Sequence, residues 1–154
     1  MLKYVDYDIV FQEIPDEVSL AINLSNCPHR CEGCHSPQLQ SDIGEPFDEK
    51  VITQLLEKYG DGITCVCFMG GDSAPDEVCR LAEFIRLFTN DKIKTAWYSG
   101  CKVLNTDTAL HSFNYIKLGP YIEHLGPLNK KTTNQKLFKI SQGKYQNITY
   151  KMWK

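Results

Sequence analysis

The chain has 154 residues, 42% of them hydrophobic, with 17 Lys and Arg against 19 Asp and Glu for a net charge of −2. That length suffices for one core of ordinary size but falls short of the roughly 250 residues of a complete (β/α)8 barrel. The charge balance argues against a nucleic-acid surface and no apolar run reaches the roughly 20 residues of a membrane span, while seven cysteines without a secretory signal point to a reduced cytoplasmic protein rather than a disulfide framework.

Residues 1–17 predict a hairpin or a short lead-in strand. Val18, Leu20, Ile22 and Leu24 then alternate with Ser19, Ala21 and Asn23, the period of a strand whose small polar face would look into a barrel. A helix is expected over 48–59, with Val51, Ile52, Leu55, Leu56 and Tyr59 on one face, Asp48 as cap, Phe47 stapled onto Ile52, and Gly60 at its end. A strand over 63–69 runs into Gly70-Gly71-Asp72. The next helix starts near 73–75 and presents Val78, Leu81, Ala82, Ile85 and Phe88. Strands follow at 94–99 and 115–118, with a short helix over 107–112 between them, and 119–135 carries no assignment. No repeat, low-complexity stretch or linker divides residues 1–154, so one domain is expected. Strands alternating with helices imply a parallel sheet with right-handed crossovers, hence an α/β partial (β/α) barrel open on one side. In such sheets active sites collect at the carboxyl ends of the strands. The loop after the first of these strands, Gly70-Gly71-Asp72 and Ser99-Gly100 all fall there.

The most informative segment is that first loop, Cys27-Pro28-His29-Arg30-Cys31-Glu32-Gly33-Cys34-His35, with CxxxCxxC spacing. Offsets of four and three would also align three thiols on a helix, but Pro28, Gly33 and Pro37 favour a tight loop. Cys27, Cys31 and Cys34 would hold three irons of a [4Fe–4S] cube and leave the fourth iron for a small molecule. The competing reading adds His35 to make a Cys3His zinc site in a binding module. Zinc sites usually pair two CxxC-type halves, and no second half follows. Cys65, Cys67, Cys79 and Cys101 show no cluster spacing and read as ordinary buried thiols. His29 and His35 flank the loop, where they could tune its hydrogen bonding; His29 reads mainly as a solvated loop residue, and His111 and His124 carry no pattern. Glycines at 70 and 71 allow close backbone approach to a ligand, with Asp72 accepting from an ammonium; a plain turn before a helix explains the same pair.

CxxxCxxC after a first strand resembles the cluster motif of the radical S-adenosylmethionine (SAM) enzymes. The run from Cys27 to Pro37 resembles more narrowly the anaerobic ribonucleoside-triphosphate reductase activating proteins, in which Gly-Cys replaces the usual aromatic-Cys, here Gly33-Cys34. Phe68-Met69-Gly70-Gly71-Asp72 is similar to that family's Gly-Gly-Asp, and Trp97-Tyr98-Ser99-Gly100 to its aromatic-hydroxyl-Gly strand end, with Cys101 where tyrosine is common. Gly119-Pro120-Tyr121 and Thr133-Asn134-Gln135 resemble two further segments, while Leu118 stands where many members carry an acid.

The resemblance implies a radical SAM type of partial barrel and an oxidoreductase with no catalytic side chain beyond the cluster ligands. SAM would chelate the open iron, with Gly70, Gly71, Asp72, Ser99 and Asn23 as cofactor-binding residues. One-electron cleavage would give methionine and a 5′-deoxyadenosyl radical. The implied partner is the large catalytic subunit of anaerobic ribonucleotide reductase, activated at a glycine Cα, with a flavodoxin- or ferredoxin-like electron donor. A radical SAM enzyme acting on another glycyl-radical protein or on a small molecule is the nearest alternative.

Overall fold

The computed structural model describes residues 2–34, 36–102 and 111–153. Its strands are β1 (Lys3–Val10), β2 (Ser19–Leu24), β3 (Glu45–Pro46), β4 (Cys65–Met69), β5 (Lys94–Tyr98), β6 (Tyr115–Leu118), β7 (Lys136–Ser141) and β8 (Lys144–Asn147), with helices α1 (Glu49–Tyr59) and α2 (Pro75–Phe88). All strands join one sheet in the order β3-β1-β2-β4-β5-β6-β7-β8. The central four, β2, β4, β5 and β6, are parallel. The outer pairs run antiparallel, β1 against β2 and β3 on one side, β7 against β6 and β8 on the other. The sheet is therefore mixed where the alternation of elements implied parallel strands throughout. The β7–β8 hairpin shows why: its strands are joined by Gln142 and Gly143, both at positive φ (53° and 75°), and a two-residue turn allows only antiparallel return.

Both helices begin for legible reasons. The Asp48 carboxylate accepts from the Val51 N–H at 3.0 Å, satisfying one of the free donors at the start of α1. Gly60 stands at the C-cap as expected, but at φ −55° it keeps helical backbone and leads into a 3-10 turn over Gly60–Gly62. Helix α2 opens on Pro75, with Asp76 and Glu77 in its first turn. The helix expected over 107–112 lies mostly outside the described residues.

Strand alternation sorts the core into two faces. Leu20, Ile22, Leu24, Val66, Phe68, Trp97 and Ile116 pack with Ile52, Leu55 and Leu56 of α1 and Val78, Leu81 and Ile85 of α2. On the other face lie Cys65, Cys67, Ala96, Tyr115 and Leu137, covered by Ile14, Leu128 and Ile148 rather than by helices. The small side chains Ser19 and Ala21 belong to that second face, and both are buried.

At the amino ends of the parallel strands a buried carboxylate fastens the second face. Glu17 accepts from Lys94 Nζ (2.7 Å), Thr64 Oγ1 (2.7 Å) and Tyr115 Oη (2.8 Å). Burial alone would raise its pKa, but the three donors and the Lys94 charge outweigh that and hold it below the ordinary glutamate value. A depressed folded-state pKa contributes stability that is present above the unfolded value of about 4.3 and lost as pH falls through the folded value. Glu17→Gln is expected to lower unfolding stability at pH 7 by about 1–3 kcal/mol. It should also weaken the acid limb of the stability–pH curve, as measured by urea unfolding at a series of pH values.

Candidate metal centre

Strand β2 delivers the chain into the cysteine loop at the carboxyl edge of the sheet. Asn26, at φ +59°, turns it and donates its N–H to Ser41 O (3.0 Å), and Cys27 N–H donates to Leu39 O (2.9 Å). The loop is thus laced to the returning segment at its base. Gly33 takes φ +73°, and Cys34 N–H donates to Cys31 O at 3.2 Å, closing a turn between the second and third cysteines. No helix forms across the run, as Pro28 and Gly33 lead one to expect, and Cys27, Cys31 and Cys34 are all half-buried free thiols.

Burial pushes the Cys27 thiol above its ordinary pKa, partly offset by the His29 backbone N–H, with Asp72, Cys31 and Cys34 adding to the rise. The Cys27 thiolate is therefore unfavourable without a bound cation. A metal charge reverses that balance, since coordination deprotonates thiols outright.

Asp72 is the hub of the edge. Its carboxylate, 2% exposed, accepts from Ser99 Oγ at 2.6 Å on one oxygen and from the Gly100 N–H at 2.8 Å on the other. His29 Nε2 lies 2.9 Å from that second oxygen. One side chain thereby ties together the cysteine loop, the loop after β4 and the loop after β5. Gly100 makes room for this: a Cβ there would meet the His29 ring at 2.6 Å. His29 is accordingly a structural tie and not the solvated residue expected. Nothing in the loop's own sequence names its partner, because Asp72 is brought to it only by strand order.

The structure gives each remaining site candidate a definite setting. Gly70 and Gly71 both adopt positive φ (107° and 91°), and a Cβ on Gly71 would lie 2.5 Å from Val78 Cγ2, so backbone conformation and helix packing demand this pair before any ligand does. Trp97 Nε1 donates to Gly70 O at 2.7 Å, bracing the turn. Ser99 is 1% exposed and engaged with Asp72. Asn23 Nδ2 donates to Asp6 Oδ1 at 2.6 Å, on the side of β1. Asn134 and Gln135 fold back on the turn after β6, donating to Pro120 O (3.1 Å) and Gly119 O (3.4 Å). Leu118 packs in the helix-side core.

Of the four other cysteines, Cys65, Cys67 and Cys79 are buried, with burial raising the Cys65 thiol to about 12 and the Cys79 thiol to about 11. They are the inert thiols expected. Cys101 departs from that expectation: it is half-buried, and its sulfur lies within 4.8 Å of ligand atoms of both His29 and Asp72. The sequence reading also passed over Lys117, although its alternation with Ile116 and Leu118 on β6 assigns it to the second face. Its Nζ donates to Gly119 O (3.1 Å) and stands 5.5 Å from the centre of the Tyr98 ring. Burial lowers its pKa to about 8, while Asp72, Cys31, Cys67 and Cys27 pull the other way.

A family model described as a 4Fe-4S single cluster domain matches residues 18–143, from just before β2 through the β7–β8 turn. The chain belongs to the 4Fe-4S single cluster domain family. No curated protein and no solved structure matches it.

The three free thiols of the loop are the donor type that holds such a cluster. Zn–S bonds of about 2.3 Å place tetrahedral sulfurs about 3.8 Å apart. Among the described residues, the trio with ligand atoms within 4.8 Å of one another is His29, Asp72 and Cys101, not the three motif cysteines. Cys27, Cys31 and Cys34 are not all within 4.8 Å of one another. His35, the fourth ligand of the zinc alternative, lies outside the described residues. Among them no helix is long and apolar enough to cross a membrane.

Proposed function

We propose that this chain is a radical SAM activase, a single-domain cytoplasmic oxidoreductase that generates a glycyl radical on the catalytic subunit of anaerobic ribonucleoside-triphosphate reductase. The observation that carries the reading is a loop with three cysteines, not four, in a single-cluster domain, set at the carboxyl edge of parallel strands and clasped to Gly70-Gly71-Asp72. Cys27, Cys31 and Cys34 would hold the cluster and leave one iron for the amino and carboxylate groups of SAM. The chemistry such a cluster would supply is one-electron reduction of the SAM sulfonium, which would give methionine and the radical that removes a hydrogen atom from glycine.

The chain's own groups position and shield. Asp72 fixes the cysteine loop against the ends of β4 and β5, and its oxygen bound by Ser99 accepts one hydrogen bond where a carboxylate oxygen can accept two. Gly70 and Gly71 supply the positive-φ turn (107° and 91°) that leads the chain from β4 to Asp72. The four parallel strands with two helices on one face support the partial-barrel fold the reading requires. The opposite face carries a cavity of about 740 Å³, lined by Glu13, Tyr98, Leu128, Asn129 and Met152, with no candidate cofactor residue in its lining. A flavodoxin- or ferredoxin-like protein would deliver the electron.

Anaerobic incubation of the loaded protein with the reductase subunit, SAM and a reductant is expected to produce a glycyl-radical EPR doublet on the subunit. SAM cleavage without the doublet would assign another glycyl-radical protein or a small molecule as substrate. A second reading, a plain electron carrier, draws on Cys101, whose place beside His29 suits a fourth cluster ligand. It predicts a cluster indifferent to SAM.

A further inference from the structure

The carboxyl edge of the sheet holds a second set of metal-binding atoms beside the motif thiols. A ring nitrogen of His29, a carboxylate oxygen of Asp72 and the sulfur of Cys101 all lie within 4.8 Å of one another. Imidazole nitrogen, carboxylate oxygen and thiolate sulfur are the donors a borderline-soft ion such as Zn²⁺ takes, and bonds of about 2.0–2.3 Å would set them about 3.3–3.6 Å apart. Small side-chain adjustments reach that spacing from the present geometry, in which His29 Nε2 stands 2.9 Å from Asp72 Oδ2. The set shares no residue with Cys27, Cys31 and Cys34.

Each donor is held by a different loop. The His29 ring, carried by the cysteine loop, lies over Gly100, where a Cβ would come within 2.6 Å of it. Asp72, after β4, is fixed by Ser99 Oγ and the Gly100 N–H. Cys101, after β5, is tied through its backbone on both sides: its N–H donates to Ser99 Oγ (3.0 Å) and its carbonyl accepts from the Gly119 N–H (2.7 Å). A hydrogen bond between imidazole and carboxylate accounts for His29 and Asp72 but not for the thiol. Cys65, Cys67 and Cys79 are core residues, whereas Cys101 belongs to neither core.

We infer that His29, Asp72 and Cys101 form a mononuclear site for a divalent ion of the zinc type, with a fourth position left for water. The site is separate from the cluster and does not depend on the radical SAM reading. Coordination would replace the single bond between His29 and Asp72 with bonds from three loops to one ion, locking the cysteine loop onto the ends of β4 and β5. The ion would take Asp72 Oδ2 and leave Oδ1 with Ser99. The mixed donors also set a preference, since the oxygen-seeking ions Mg²⁺ and Ca²⁺ gain nothing from a thiolate and an imidazole.

The test is equilibrium dialysis of the cluster-loaded protein against Zn²⁺, with zinc and iron measured on the same samples, alongside Cys101→Ser and His29→Gln. Gln keeps a donor for Asp72 and removes only the imidazole. The expected result is about one zinc per chain beside the full complement of iron. Both variants should keep their iron and lose zinc affinity by more than the roughly 10- to 100-fold that loss of an outer-shell partner costs. Co²⁺ supplies the second readout: bound to the metal-free chain carrying Cys27→Ser, Cys31→Ser and Cys34→Ser, it should show a thiolate-to-cobalt charge-transfer band that disappears when Cys101→Ser is added. This arm carries the test if zinc strips iron from the loaded protein. Zinc held equally by both variants, a cobalt spectrum without the thiolate band, or no ion bound by either form would overturn the inference. Loss of iron in Cys101→Ser would overturn it too, by making Cys101 a cluster ligand.

Discussion

Replacing any one of Cys27, Cys31 or Cys34 with serine is expected to abolish retention of the iron–sulfur cluster and, with it, the proposed SAM cleavage. Each thiolate is expected to hold one iron, and the spacing offers no substitute within the loop. The loss should be specific, because all three cysteines are half-buried in a loop and none belongs to either core. The metal-free variants are therefore expected to melt within a few degrees of the metal-free parent protein, since surface-loop changes away from packing usually stay within about 0.5 kcal/mol. Cys65, Cys67 and Cys79 provide the control. Alanine at any of them should leave iron content intact and lower stability, by about 1–3 kcal/mol for buried groups of this size. Iron and sulfide analysis with thermal melts checks both halves, and a motif variant that keeps the parent's iron would remove that cysteine from the ligand set.

The second large effect is expected at Asp72. Truncation to alanine strips Ser99, Gly100 and His29 of their shared acceptor in a place where the carboxylate is 2% exposed. Ser99 can rotate and His29 can turn to water, so the Gly100 N–H bears most of the penalty, and the total should be about 2–3 kcal/mol. The consequence reaches beyond stability, because the clasp joins three loops carrying the candidate site. Asp72→Ala should lose SAM binding even where the cluster still loads, while Asp72→Asn, which keeps one acceptor oxygen, should fall between. The decisive comparison is the melting of the metal-free forms. A metal-free Asp72→Ala protein as stable as the parent would refute the clasp and leave Asp72 as a ligand contact alone.

Periodicity made the inner fold legible. The alternation at 18–24, the stripes of Ile52, Leu55, Leu56 and of Val78, Leu81, Ile85, and the cap at Asp48 each correspond to an element at nearly the expected bounds. These signals are local, so one sequence carries them. The antiparallel margins were less legible. Leu137 and Ile140 do not alternate cleanly in β7, and the exposed β8 has no apolar face, although Gln142-Gly143 was a usable hairpin signal. The site divides in the same way. The cysteine spacing is written along the chain, whereas the bond from His29 to Asp72 spans 43 residues and exists only because β2 and β4 are parallel neighbours. Lys117 was hidden for the converse reason: a lysine between Ile116 and Leu118 reads as an interruption of a core strand until its neighbours across the sheet, Tyr98 and Leu137, define the face it occupies.

Gly71 shows how structural and functional demands coincide at this edge. Its φ of +91° and the 2.5 Å contact a Cβ would make with Val78 fully account for a glycine, so its match to a cofactor motif adds nothing independent. Asp72 is different, since no packing rule demands a carboxylate at a buried strand end. Burial of that charge is tolerated only because three donors from two separate loops converge on it.

The measurement that bears most directly on the central claim is the EPR spectrum of the anaerobically reconstituted and reduced protein, recorded with and without SAM. A radical SAM protein has about four irons per chain and a reduced-cluster signal that changes when SAM occupies the open iron. A four-iron protein whose signal is indifferent to saturating SAM would contradict the account, and would return the chain to the role of an electron carrier with a fully ligated cluster.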